Sequence, residues 1–281
     1  LVTDAGLNKL GLTKALEDSL KQNDIDVFVY DGTVPNPTTT NVDDGLKIYK
    51  ENNCQALIGF GGGSPMDCAK AIGARIACPN KTLGQMKGVL KVKKKLPPLV
   101  AIPTTAGTGS ETTLAAVITD AKTRHKYAIN DFPLIPKYAI LDANLTVGLP
   151  QKVTSTTGMD ALTHAVEAYI GKSTTKRTRE CSKQAVKLIF ENLEKAYTDG
   201  TDITARQNML HASYLAGLAF TKSYVGYVHA IAHSLGGKYN TPHGLANAVI
   251  LPVMLKRYGK SVNKKLYQLG VYAGLFERNI S

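Results

Sequence analysis

The sequence contains no run approaching the roughly 18 apolar residues that a membrane span needs, and no basic-then-apolar signal segment opens it. Its four cysteines, Cys54, Cys68, Cys78 and Cys181, show no C-x-x-C spacing, which excludes zinc-ribbon and thioredoxin readings. Scattered free thiols in a chain of 281 residues suggest a reducing compartment, most simply the cytoplasm. There is no internal repeat and no low-complexity tract. The formal charge of +12 invites a nucleic-acid reading. No helix-turn-helix, zinc finger or aromatic-rich RNA-binding motif accompanies that charge, however. The basic residues fall into separate clusters at 91–95, 122–126, 176–179 and 256–265, the pattern of a solvated surface. The chain also lacks an initial methionine. Leu1-Val2-Thr3-Asp4 reads as the end of a strand running into a turn, so the expectation is a chain clipped at both ends.

What is present is the composition of a globular protein, with 43% apolar residues and enough length for one large core or two ordinary ones. The first half alternates strand-like and helix-like stretches. Residues 27–30 (VFVY) are β-branched and aromatic and stop at the Asp31-Gly32 turn signal. Residues 41–50 carry Val42, Leu46 and Tyr49 along one helical face. The apolar runs at 56–60 and 99–102 suit strands buried in a parallel sheet. A helical stretch at 66–75 follows the first of these runs. Further strands are expected at 117–119, 127–129 and 139–141. The pattern predicts an α/β domain with a mainly parallel sheet. After Leu149-Pro150 helical periodicity dominates, with helices expected at 159–170, 181–197, 203–220 and 228–235. The expected division is therefore an α/β domain over 1–148 and an all-helical domain over 149–281, with the boundary near 142–150.

Two loops follow buried strands. Gly61-Gly62-Gly63-Ser64 offers bare backbone N–H groups and a hydroxyl at a helix start, which suits a phosphate. A tight structural turn would explain the same residues, and neither G-x-G-x-x-G nor a Walker lysine is present. The second loop, Thr104-Thr105-Ala106-Gly107-Thr108-Gly109-Ser110, has the same small, hydroxyl-rich character. Paired loops of this kind line the carboxyl edge of an open α/β sheet, where ligands bind. Asp4 also follows a strand-like fragment. A carboxylate there accepts from a ribose diol and repels a 2′-phosphate, which favours NAD over NADP.

The second half carries metal-ligand chemistry. Asp160 and His164 stand at i and i+4 on one helical face, and His229 and His233 repeat the spacing. One such histidine alone reads more readily as a satisfied core residue. Four polar residues at this spacing in apolar helices point to a cation. His229-Ala230-Ile231-Ala232-His233 looks like H-E-x-x-H, but Ala230 stands where a zinc protease keeps its glutamate base. Gly236-Gly237 is expected to end that helix. Asn240-Thr241-Pro242-His243-Gly244 then reads as a new helix start, with Thr241 as N-cap and His243 in the first turn. His125 is read as a surface residue and His211 as a helix-packing residue.

These stretches together resemble the iron-containing (group III) alcohol dehydrogenase family. The resemblance runs through 30–37, 61–70, 101–111, 140–167 and 226–246. It implies a dinucleotide-binding domain followed by a helical metal-binding domain that continues past the last residue here. It also implies metal ligands at Asp160, His164, His229 and His243, and a further active-site histidine at His233. Cofactor contacts are implied at Asp4, Asn36, Gly63, Ser64, Thr104, Thr105, Thr108, Thr113 and Lys126. The activity implied is metal-dependent hydride transfer between a primary alcohol or diol and NAD, with aldehyde reduction in reverse. Fe²⁺ is the implied metal, while the ligand set alone also suits Zn²⁺ or Mn²⁺. Lactaldehyde and propanediol, ethanol, butanol and 1,3-propanediol remain open as substrates. Expected partners are the small alcohol or aldehyde and further copies of the chain, in a homodimer or larger assembly, with no nucleic acid and no membrane. Rivals are a dehydroquinate-synthase-like lyase and a glycerol dehydrogenase. The lyase would need grouped basic residues for a phosphorylated sugar acid.

Overall fold

The computed structural model describes residues 1–239 and 241–276. Asn240 and residues 277–281, parts of the expected helix start and of the expected helical domain, lie outside the described residues. The chain forms two compact units. One comprises 1–104 with 110–140, and the other comprises 105–109 with 141–281.

The first unit is α/β. Its elements are α1 (Ala5–Lys9), α2 (Lys14–Gln22), α3 (Thr39–Glu51), β1 (Leu57–Gly61), α4 (Gly63–Ala77), α5 (Leu83–Met86), β2 (Gly88–Val89), β3 (Leu99–Pro103), β4 (Ala115–Thr119), β5 (Lys126–Asn130) and β6 (Tyr138–Ala139). β1, β3 and β6 form a parallel sheet, with Leu57 opposite Leu99 and Ala101 opposite Ala139. Val2 adds single parallel bridges to Gly59 and Tyr30. The expected strand at 27–30 is therefore reduced to that contact at Tyr30. Its apolar side chains read as a strand, but Phe28 is exposed and among the described residues the run pairs only with residues 1–3.

The stretches at 117–119 and 127–129 form the expected strands, but outside the parallel sheet. They are an antiparallel hairpin, β4 against β5, with Ala116 opposite Ile129, and β2 pairs parallel to its outer side. The turn is set by Asp120, whose Oδ1 accepts from the backbone N–H groups of Lys122 and Thr123. The core of this unit gathers Val42, Leu46, Leu57, Ile72, Leu99, Ile118 and Ile129. The apolar face of α3 thus packs on α4 and the sheets, as its periodicity requires.

The second unit is helical: α6 (Gln151–Ile170), α7 (Lys176–Thr198), α8 (Ile203–Ser223), α9 (Tyr227–Tyr239), α10 (His243–Tyr258) and α11 (Lys260–Tyr272). α6 begins eight residues before the expected 159. Its first turns hold Thr154, Thr156 and Thr157, poor helix formers by propensity. The hydroxyls of Thr156 and Thr157 donate back to the carbonyls of Lys152 and Val153 at 2.8 Å, within the helix. α9 runs through Gly236-Gly237 rather than ending there. Pro242, at ψ 130°, is the N-cap of α10 in place of Thr241, because its extended backbone lies outside the helix. Among the described residues no helix is long and apolar enough to cross a membrane.

The core of the second unit runs from Ala161, Ala165 and Tyr169 on α6 through Val186 and Ile189 to Leu210, Ala216 and Ala232. Small residues on α6 and α8 let these helices approach closely. Ala106 joins this core, and a Cβ on Gly107 would lie 2.6 Å from that of Thr157. Contact at that distance explains why 105–109 belongs with the helices rather than with β3. The basic clusters are mostly exposed, as is His125. His211 is also exposed on α8, contrary to its reading as a packing residue.

Candidate metal centre

α6, α9 and α10 build the metal candidate. Asp160 and His164 are one turn apart on α6 and both are buried, as is His229 on α9. One ligand atom each from Asp160, His229 and His243 lie within 4.8 Å of one another. Nε2 of His229 stands 3.6 Å from Oδ1 of Asp160, and Nε2 of His243 stands 3.5 Å from the same oxygen. His164 is not part of that three-atom convergence. It stacks its ring on His229, with centroids 4.4 Å apart, and on Phe220 at 4.1 Å. His233 is exposed and stacks on His243 at 5.0 Å. All five residues singled out in the sequence thus meet in one cluster, three of them through converging ligand atoms.

The electrostatics suit a cation. Burial lowers the pKa of His164 to about 3, against the pull of Asp160, so its ring is neutral and keeps a lone pair. Burial opposes charge on Asp160 too, but His164, His229 and His243 hold the group below the usual carboxylate range. His229 is the reverse case. Burial lowers its pKa, yet the carboxylates of Asp160 and Glu167 beside it raise it to about 9. The pocket therefore favours a positive charge at this imidazole, and a metal ion can supply that charge in place of a proton. Nε2 of His229 and Nδ1 of His164 are buried with no hydrogen-bond partner among the described residues. A buried polar atom left so costs on the order of 1–3 kcal/mol. An orphaned imidazole nitrogen beside a carboxylate is what a Lewis-acidic divalent ion would satisfy, and the donor set fits Fe²⁺, Zn²⁺ or Mn²⁺.

Two residues without a role in the sequence reading belong to this cluster. Glu167 accepts from Nδ1 of His229 at 2.6 Å, and Asn247 donates from Nδ2 to Oδ1 of Asp160 at 2.6 Å. Each carried a signal. Glu167 follows Asp160 and His164 at i+7 and i+3, and Asn247 follows His243 at i+4, so each shares a helical face with a ligand candidate.

The cofactor candidates of the first unit sit at the ends of its strands. Asp4 caps α1, with Oδ1 accepting from Leu7 N–H at 3.0 Å. Gly61 ends β1 at φ 143°, a conformation only glycine adopts freely, and turns the chain into α4 through Gly62. Gly63 and Ser64 open α4, so their N–H groups lie in its unpaired first turn. Asn36, held at φ 59°, donates its N–H to Ser64 Oγ at 3.2 Å, and its Oδ1 accepts from Lys126 Nζ at 2.6 Å. These three expected contacts are thereby brought together. Thr104 is buried, and its N–H donates to the Gly61 carbonyl at 2.9 Å. Thr113 turns its hydroxyl to Lys70. Thr105 and Thr108 belong to the second unit.

Lys70 was not singled out in the sequence. It is fully buried on α4 and donates to Ser110 Oγ, Thr113 O, Thr113 Oγ1 and Ala115 O at 2.9–3.0 Å. Ser110 Oγ in turn donates to Asp67 Oδ1 at 2.7 Å. Burial lowers the pKa of Lys70 to about 8, while Asp67 and Glu111 pull it upward. This network ties α4, which begins with the glycine loop, to the segment 110–115.

Known proteins resemble the chain along almost its whole length. Residues 1–143 match the family described as iron-containing alcohol dehydrogenase, and residues 154–278 match the C-terminal part of the Fe-containing alcohol dehydrogenase family. The chain is 45% identical over 269 residues to the 1,3-propanediol dehydrogenase of Citrobacter freundii, covering 95% of this chain and 69% of that protein. It is 44% identical over 252 residues to the NAD-dependent methanol dehydrogenase of Bacillus methanolicus, covering 90% of this chain and 66% of that one. A solved structure of 1,3-propanediol oxidoreductase superposes with a TM-score of 0.95 at 42% identity, over 100% of this chain and 73% of that chain.

Proposed function

The chain belongs to the iron-containing alcohol dehydrogenase family, and from that premise we infer that it transfers hydride between a primary alcohol or diol and NAD, with aldehyde reduction as the reverse. The observation that carries this reading is the convergence of Asp160, His229 and His243, with Nε2 of His229 buried and unpartnered between them.

Asp160, His164, His229 and His243 would hold the metal. A divalent cation bound there supplies Lewis acidity, which lowers the pKa of an alcohol oxygen or polarises an aldehyde carbonyl. The protein's own groups prepare that chemistry. Glu167 keeps Nδ1 of His229 as a donor, which leaves Nε2 as the lone-pair atom. Asn247 fixes the Asp160 carboxylate. Neutral His164 adds a donor without adding charge. His233, exposed beside His243, is assigned either the alcohol proton or the positioning of the nicotinamide.

For NAD we propose Asp4, Asn36, Gly63, Ser64, Thr104, Thr113 and Lys126 in the first unit, and Thr105 and Thr108 on the sequence pattern. The unpaired N–H groups opening α4 suit the diphosphate. Asp4 suits a free ribose diol over a 2′-phosphate, and the similarity to an NAD-dependent methanol dehydrogenase supports the same choice. Four unpaired cysteines support a reducing, cytoplasmic setting. Self-association into a dimer or larger homo-oligomer is proposed from the family resemblance.

The test is NADH formation by the chain after anaerobic Fe²⁺ loading, across a panel of short primary alcohols and diols. Turnover on at least one member is expected. Bound metal and bound NAD with no turnover on any of them would sink the dehydrogenase reading.

A further inference from the structure

We propose that Glu167 is a positioning residue of the metal centre. Its carboxylate sets which nitrogen of His229 carries the proton and anchors the first turn of α9, so that Nε2 is the atom turned toward Asp160 and His243. The proposal rests on the metal reading above and extends it beyond the four ligand candidates.

Glu167 lies on α6, three residues after His164 and seven after Asp160, and its side chain is 1% exposed. Oε2 accepts from Gly226 N–H at 2.9 Å and from His229 Nδ1 at 2.6 Å, and Oε1 accepts from Val228 N–H at 2.8 Å. An ionised carboxylate has no proton to give. Nδ1 must therefore be the donor, and in a neutral imidazole that leaves the lone pair on Nε2. That nitrogen is buried without a partner, 3.6 Å from Asp160 Oδ1.

The same carboxylate reaches the start of α9, which begins at Tyr227. Backbone N–H groups there lack partners within the helix and favour a negative charge. An ordinary cap comes from the residue just before the helix. This one comes from another helix, 59 residues earlier in the chain. One side chain thereby fixes both the ring of His229 and the backbone that carries it.

Gly226 shows how closely the chain is fitted to this carboxylate. A Cβ there would lie 2.6 Å from Oε1 of Glu167 and 3.1 Å from its Cδ. A side chain at 226 must push on the carboxylate or on the backbone that donates to it. The glycine therefore permits the contact, and it supplies a second way to disturb Glu167 without altering it.

The experiment titrates the full chain with Co²⁺, read by its d–d absorption, together with amide hydrogen exchange over 226–229. Glu167→Gln keeps the size but only one acceptor oxygen for three donors, so its NH₂ must face either Val228 N–H, which releases the start of α9, or Gly226 N–H and Nδ1, which moves the imidazole proton to Nε2. Its Co²⁺ affinity is expected to fall roughly 10–100-fold, with a changed band shape. Gly226→Ala should shift affinity in the same direction. Asp202→Ala removes only the cap of α8, where Asp202 Oδ1 accepts from Ala205 N–H. It should lower stability and leave Co²⁺ affinity unchanged, which separates positioning from mere folding. Folded Glu167→Gln and Gly226→Ala proteins that bind Co²⁺ as the wild type does would overturn the proposal and leave the metal reading standing. If the Gln variant does not fold, Gly226→Ala decides alone. A wild-type chain that takes up no Co²⁺ overturns the metal reading and this proposal together.

Discussion

Asn247 donates to Oδ1 of Asp160 at 2.6 Å, and that oxygen is the one approached by Nε2 of both His229 and His243. Asn247 is fully buried. Asn247→Ala should therefore leave a buried carboxylate oxygen without its donor. The expected loss is about 1–3 kcal/mol of stability in the metal-free chain, together with weaker metal binding because Asp160 is free to turn. Denaturant unfolding and metal titration check the two effects separately. A variant with wild-type values in both would show that the amide only fills space.

Lys70 gives a prediction for the first unit. It is fully buried, and its four hydrogen bonds hold the segment 110–115 against α4. Removing one partner from a buried charged network costs on the order of 3–5 kcal/mol. Lys70→Met, which keeps most of the volume, should lose an amount of this order and weaken NAD binding. Urea unfolding and NAD calorimetry measure both. Full NAD affinity in a folded Lys70→Met chain would mean that the 110–115 segment needs no anchor.

Glu111 predicts a pH dependence. Burial raises its pKa from 4.5 to about 7, with its own backbone hydrogen bond and Lys70 pulling the other way. A carboxyl whose pKa is raised on folding contributes stability that is fully present below its unfolded value and is lost as pH rises through its folded value. The window is therefore pH 4.5 to 7. Glu111→Gln, which cannot ionise, should gain relative to wild type across that window by up to about 3 kcal/mol. Unfolding free energies of the two chains at pH 4 and pH 8 give the comparison. A difference that does not change with pH would remove the buried ionisation.

Gly244 tests the placement of His243. A Cβ at Gly244 would lie 2.2 Å from the Thr156 carbonyl oxygen on α6. Gly244→Ala must push the start of α10 away from α6 and carry His243 with it. The expected outcome is at least a tenfold loss of metal affinity, comparable to the loss of a supporting contact. Unchanged affinity in calorimetric titration would show that α10 adapts without moving His243.

The sequence made some of this legible and concealed the rest. Asp160 and His164 were readable as one buried face of a helix because they stand at i,i+4 in apolar sequence. Glu167 and Asn247 carried the same helical spacing, but a single Glu or Asn on a helix is usually solvated, and only burial distinguishes these two. Lys70 was hidden for the same reason, since a lysine in a helix ordinarily faces water. The run at 27–30 failed in the other direction. Its residues have strand propensity, yet strand formation depends on a partner, and among the described residues its pairing is confined to the bridge of Tyr30 with Val2 and bonds to Leu1 and Thr3. Pairing direction was likewise not written in β4 and β5, where the turn at Asp120 decides it. The two glycine-rich loops were legible as turns that follow buried strands. That 105–109 packs with the helices was not, because it depends on the space at Gly107 beside Thr157.

The most direct measurement is the metal content of the chain after anaerobic Fe²⁺ loading and removal of free metal, for wild type beside Asp160→Ala and His243→Ala. A four-residue centre predicts one iron per wild-type chain and a sharp loss in both variants. Iron retained at wild-type stoichiometry in either variant would contradict the assignment of that side chain, and with both retained the centre itself.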